Sequence, residues 1–89
     1  MTRGPLRRAA KRDTVEPAIV EALRDAGYLV TEAGWLCDLM VFDPNSGRVT
    51  LIEVKTGKAK LRPSQQAVIA QGWPVKVVRS VEGAFAAVF

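Results

Sequence analysis

The chain contains no histidine. That absence excludes Ser-His-Asp and Cys-His catalysis, histidine-ligated zinc, and every nuclease chemistry built on a histidine base. Cysteine is nearly absent too. The single thiol, Cys37, has no partner in the chain for a disulfide, and its place in an apolar run predicts a buried thiol in a reducing compartment. No apolar run is long enough to span a bilayer, and the basic N-terminus is not followed by the hydrophobic core of a secretory signal. A soluble, intracellular protein with no membrane contact is therefore expected. Acidic residues are missing from the first twelve positions, which carry Arg3, Arg7, Arg8, Lys11 and Arg12 for a charge of +5. The other 77 residues hold eight basic and nine acidic side chains, so nearly all the net charge of +4 sits in one segment.

What is present is the material of one small domain. Eighty-nine residues leave no room for a second core, and 48% apolar content argues for a folded chain rather than a disordered one. A domain this size buries only a modest share of its surface, so self-association is a natural source of further stability. Residues 1–12 read as a flexible basic arm, with Gly4-Pro5 interrupting any early helix, and residues 13–89 as the folded domain. Such an arm either neutralises nucleic-acid phosphates or is a solvated tail.

From Asp13 or Thr14, either of which serves as an N-cap, the apolar spacing of Val15, Ile19, Ala22, Leu23 and Ala26 is helical, with Pro17 in the first turn and Gly27 as the stop. Tyr28–Thr31 reads as a short strand, followed by an irregular link over Glu32–Trp35. Cys37–Asp43 and Arg48–Lys55 read as two strands around Pro44-Asn45-Ser46-Gly47, which has the residues of a tight turn. Pro63 opens a second helix through Gln71 that ends at Gly72. Trp73–Arg79 is the fourth strand, and Ser80 caps a last helix over Val81–Val88. Helix, three strands, helix, strand, helix describes an α/β domain in which the second helix crosses between strands three and four, pairing them in parallel.

The chemistry-bearing residues lie on the hairpin. Alternation along a strand puts Glu53 and Lys55 on one face. If Asp43 pairs with Arg48, Asp38 falls opposite Glu53 on that same face, so two carboxylates and an ammonium converge at one end of the hairpin. Magnesium prefers oxygen ligands, keeps several waters and needs few protein groups. Asp38, Glu53 and the Val54 carbonyl could supply them, with Lys55 beside the phosphate and the attacking water. The bland reading of Glu-x-Lys on a strand is a solvent-facing pair. Against it stands the cost of placing unpaired charge in otherwise apolar strands.

The segments Arg12–Val20 with Ala22-Leu23-Arg24 and Gly27, Asp38–Val41, Glu53–Gly57, Leu61–Gln65 and Val77–Ser80 together resemble the virus-type replication-repair nuclease (VRR-NUC) family of the PD-(D/E)xK nucleases, in its small stand-alone form. The resemblance implies a restriction-endonuclease-like αβββαβ core with a short C-terminal helix. It implies a Mg2+- or Mn2+-dependent endonuclease acting on branched DNA, as a homodimer that resolves four-way junctions, in the cytoplasm of a bacterial or phage-infected cell. By position, Asp38 and Glu53 resemble the metal ligands, Lys55 the catalytic lysine, Glu16 the first-helix glutamate and Gln65 the second-helix glutamine. One departure is Cys37, where the family usually has proline. That departure and the small size also fit a second reading, a DNA-binding or assembly module that keeps the fold without turnover.

The remaining candidates have two readings each. Glu16 borders the apolar stripe of its helix, reaching toward a site or simply favouring the helix dipole. Gln66 competes with Gln65. Lys58, Lys60 and Arg62 either track a phosphate backbone or line a solvated loop. Trp35 and Trp73 are expected to pack rather than stack on bases. Phe85, Val88 and Phe89 either cover the core or form a dimer face.

Overall fold

A computed structural model describes residues 15–34 and 36–89. The elements run α1 (Glu16–Asp25), β1 (Leu29–Glu32), β2 (Leu39–Phe42), β3 (Val49–Val54), α2 (Pro63–Ala70), β4 (Val75–Val78) and α3 (Val81–Val88). The four strands form one mixed sheet in the order β1-β2-β3-β4, antiparallel across the first two pairings and parallel between β3 and β4. This is the expected α/β order, with α2 as the crossover.

Local sequence explains the ends. Pro17 sits in the first turn of α1, where its missing N–H costs nothing. Gly27 takes φ +100°, Tyr28 N–H returns to the Leu23 carbonyl at 3.1 Å, and Gly27 N–H bonds Arg24 at 3.0 Å, a Schellman closure that a residue with a Cβ would strain. Ser80 accepts the Gly83 N–H at 3.0 Å and starts α3 where expected. At the other end of the chain the expectation shifts. The N-cap position of α1 falls on Val15, which makes no side-chain cap. Asp13 and Thr14 lie outside the described residues, as do the arm and its Arg7, Arg8, Lys11 and Arg12.

The strands are shorter than their apolar patterns. β2 and β3 lose Cys37, Asp38, Asp43, Arg48 and Lys55 from their expected spans, and β4 loses Trp73, Pro74 and Arg79, while Glu32 joins β1 instead of the link after it. Alternation extends past the point where the hydrogen-bond ladder stops, so pattern alone overreaches at both ends.

One face of the sheet carries the core. Val30, Leu39, Val41, Ile52 and Val78 point to Ile19 and Leu23 of α1 and to Ala84 and Val88 of α3, all buried. Val88 and the partly buried Phe85 thus cover the core, while Phe89 stacks on Phe85 and is 78% exposed. The other face holds Leu29, Met40, Phe42, Val49, Leu51, Glu53, Val75 and Val77 by alternation and register. Among the described residues no helix is long and apolar enough to cross a membrane.

Candidate active site

The site is set by the β2–β3 register. Leu39 pairs with Ile52 and Phe42 with Val49, and Asp43 N–H bonds the Arg48 carbonyl at 2.9 Å, which is the pairing the turn predicts. The turn locks itself: Asp43 accepts the Asn45 N–H at 2.9 Å and the Ser46 hydroxyl at 3.0 Å, and those bonds hold its carboxyl below the usual range. Gly47 closes the loop at φ +78°. Counting back from this turn brings Asp38 opposite Glu53. A slip of one residue would turn Glu53 to the other face.

Asp38 lies just outside β2, where its own N–H still bonds the Ile52 carbonyl at 3.0 Å. Its Oδ2 accepts the Val54 N–H at 2.8 Å, which fixes the carboxylate against the end of β3. Glu53 is 5% exposed. Its Oε2 accepts from Gln65 Nε2 at 2.5 Å and lies 3.8 Å from Lys55 Nζ. Lys55 is held in turn by its backbone N–H, which bonds the Val78 carbonyl of β4 at 3.0 Å. Both contacts to Glu53 fall on the same oxygen.

Electrostatics mark the pair. The Glu53 carboxyl is pushed up from 4.5 to about 7, first by burial and then by the neighbouring Asp38 carboxylate, with Lys55 and Arg62 pulling in the opposite direction. A buried carboxyl beside a second carboxylate loses its proton at a cost that Lys55 and Arg62 only partly offset. Cys37, beside them, is buried, donates its S–H to the Leu39 carbonyl at 3.3 Å, and has its pKa raised chiefly by burial. The thiol is buried, as its apolar context predicts.

A cavity of about 220 Å³ opens at this end of the sheet. Asp38, Glu53 and Lys55 line it together with Glu16 from the start of α1 and with Arg62 and Gln65 from the start of α2. The five residues expected to carry the chemistry therefore meet in one space. Gln65, not Gln66, makes the connection; Gln66 bonds the Leu61 carbonyl instead. Gln65 also accepts the Arg62 N–H at 2.8 Å through Oε1, so both ends of one amide are used. Arg62 is closer to the carboxylates than a residue that merely tracks a distant backbone. Lys58 and Lys60 are exposed on the loop that leaves Lys55.

One residue and one main-chain role carry no signal in the sequence. Arg79 donates to the Gly57 carbonyl at 2.8 Å and ties the loop after Lys55 to the end of β4. Val54 contributes its N–H to Asp38, a role that no side-chain pattern reveals. One expectation is corrected: Trp73 is 45% exposed rather than packed, and lies in the link before β4 instead of in the strand. Trp35 lies outside the described residues.

Asp38, Glu53 and the Val54 carbonyl fit a hard divalent cation in donor chemistry, since all three present oxygen. The set is small: among the described residues no group of three or more His, Cys, Asp or Glu side chains is already gathered for a metal.

No curated protein and no solved structure matches the chain. The family model of the VRR-NUC domain matches residues 10–82 of the 89, from before α1 into α3. With that match spanning the hairpin, both site helices and the parallel strand, the chain belongs to the VRR-NUC family, a nuclease-type hydrolase domain whose substrate is DNA.

Proposed function

We propose that this nuclease is a Mg2+- or Mn2+-dependent endonuclease that cuts branched DNA, four-way junctions in particular, as a two-fold dimer. The observation that carries the reading is the convergence of Asp38, Glu53 and Lys55 at one end of the hairpin, in a cavity shared with Glu16 and Gln65. Asp38, Glu53 and the Val54 carbonyl are the groups that would hold the cation. When bound, it polarises the scissile phosphodiester and acidifies a water. Lys55 offsets charge that builds on the phosphate oxygens and orients the attacking water, an electrostatic role whose loss costs roughly 100- to 1,000-fold in rate. Gln65 holds Glu53 through Oε2, which leaves Oε1 as the oxygen that would bind the cation. Arg62, Lys58 and Lys60 lead away from the site as a basic track for the phosphate backbone, with Arg7, Arg8, Lys11 and Arg12 as a second contact. A two-fold pair presents two sites to two strands, as symmetric cutting of a junction requires. The buried thiol suits a reducing compartment such as the cytoplasm of a bacterial or phage-infected cell.

Cleavage of a labelled four-way junction with magnesium is expected to vanish in Lys55→Ala and in Asp38→Ala. Undiminished cutting by both would sink the assignment.

Cys37 in the place before Asp38, and the small size of the chain, favour a second reading, a DNA-binding module of the same fold that does not turn over. Manganese separates the two. A metal that binds only the folded protein raises its melting temperature, so a catalytic site is stabilised by manganese and Asp38→Ala abolishes the shift, whereas a module without turnover melts unchanged.

A further inference from the structure

Asp38 and Glu53 also line a second cavity. It holds about 170 Å³ against about 220 Å³ for the first, so there is comparable room at two places beside the acids. The two cavities share Asp38, Glu53, Arg62 and Gln65. Lys55, Thr56 and Ala59 line only the first, whereas Leu36, Cys37, Ser64 and Val68 line only the second. The start of α2 contributes to both parts of the second lining. Ser64 and Val68, four residues apart on one helix face, belong to the second cavity alone, while Arg62 and Gln65 belong to the shared wall. Cys37 donates its S–H to the Leu39 carbonyl, so its sulfur behaves as apolar surface, with Leu36 and Val68 half-buried in the same lining.

We propose that the second cavity takes the deoxynucleoside on the leaving side of the scissile phosphate, with the phosphate held at the shared wall by Arg62. The inference deepens the nuclease reading and rests on it. Three observations carry it. A strand that is cut internally runs away from the reacting phosphate in two directions, and the acids have a cavity for each. Displacement at phosphorus is in line, with the attacking water and the leaving oxygen on opposite sides. The water oxygen bonds to phosphorus, and the bond from phosphorus to the leaving nucleoside breaks with its electron pair on that oxygen. The proton that the water gives up reaches the same oxygen through solvent, so a diester and a water become a monoester and an alcohol. Lys55, which orients the water, lines only the first cavity, and the second is left for the departing nucleoside. Charge is the third observation. Leu36, Cys37, Ser64 and Val68 are uncharged and suit a sugar and base better than a phosphate or a cation. Arg62, in the shared wall, has the planar donors that phosphate oxygens accept from.

Filling the cavity tests this. Val68→Phe should slow cutting of the labelled four-way junction about 100-fold, the cost of displacing reacting groups by about 1 Å. Ala67→Phe, exposed on the same helix and lining neither cavity, should cut at the wild-type rate. Removing the base from the leaving nucleotide should close most of the gap between wild type and Val68→Phe. A second readout needs neither cutting nor metal. A fluorescent purine analogue at the leaving position, in EDTA and at saturating protein, should change its emission on binding the wild-type chain and not on binding Val68→Phe. Where no cut fixes that position, the analogue is placed in turn at each nucleotide beside the branch point. Circular dichroism reports folding, and if Val68→Phe does not fold, Ser64→Phe, at an exposed position lining the same cavity, takes its place. Wild-type cutting by a folded filled variant, an equal loss in Ala67→Phe, or emission that does not separate wild type from the filled variant overturns the proposal. An emission response without cutting removes the nuclease reading and leaves the subsite, and cutting without the response does the reverse.

Discussion

Glu53 binds its proton in the folded chain with a pKa of about 7 and in the unfolded chain near its ordinary 4.5. Between those values the folded state holds more protons than the unfolded one, so stability falls as pH rises. The contribution is fully present below about 4.5 and lost by about 7. The metal-free protein should therefore show a melting temperature that declines across this window. Glu53→Gln, which carries no proton to lose, should flatten the decline; an equal slope in the variant would show that another group is responsible. The facing of Asp38 and Glu53 was legible in the sequence, since it needs only the period of a strand and a turn of known length. The N–H that Val54 gives to Asp38 was not, because main-chain groups carry no signature in side-chain type.

At the scale of elements, Gln65 joins two structures with one amide. Its Oε1 satisfies the Arg62 N–H at the start of α2, one half of a capping box, while its Nε2 holds Glu53. Arg62 has no side-chain acceptor to return the bond. Gln65→Ala should lose about 1 kcal/mol of stability, the usual cost of a lost cap, together with much of the cutting rate. Gln65→Glu keeps the acceptor for Arg62 but sets a third carboxylate against Glu53. Chemical denaturation should find it closer to wild type than the alanine variant when Glu53 is protonated, with activity reduced in both. Equal stability of the two at low pH would remove the cap from this account. The helices were legible here because Pro17, Gly27, Pro63, Gly72 and Ser80 are local punctuation. Strand ends were not, because apolar alternation runs on past the ladder. The choice between Gln65 and Gln66 depends on how the crossover returns over the sheet, which no local pattern contains.

Among the described residues the molecule is lopsided. The inner face of the sheet is closed by α1 and α3, the outer face carries exposed apolar side chains, and Lys58, Lys60 and Arg62 lie on the loop that leaves the cavity. Trp73 departs from its expectation for a related reason: burial is decided by what lies above a residue, and the sequence does not say what covers the link before β4. DNA binding at the loop should be salt-dependent, and Lys58→Ala with Lys60→Ala should lower the slope of log affinity against log salt by about one for each phosphate contact removed. A junction-binding titration at several salt concentrations measures it, and an unchanged slope would assign those lysines to solvent.

The bond from Lys55 N–H to the Val78 carbonyl has a consequence in time. Asp38 and Glu53 meet through a hairpin, whose contacts are close in sequence and form early, but Lys55 is fixed only when β4 docks in parallel after the whole crossover has been laid down. Pairings of such long sequence separation are slow to form. The acids should thus come together before Lys55 and Gln65 are fixed, so that the site is complete only once the crossover and β4 are in place.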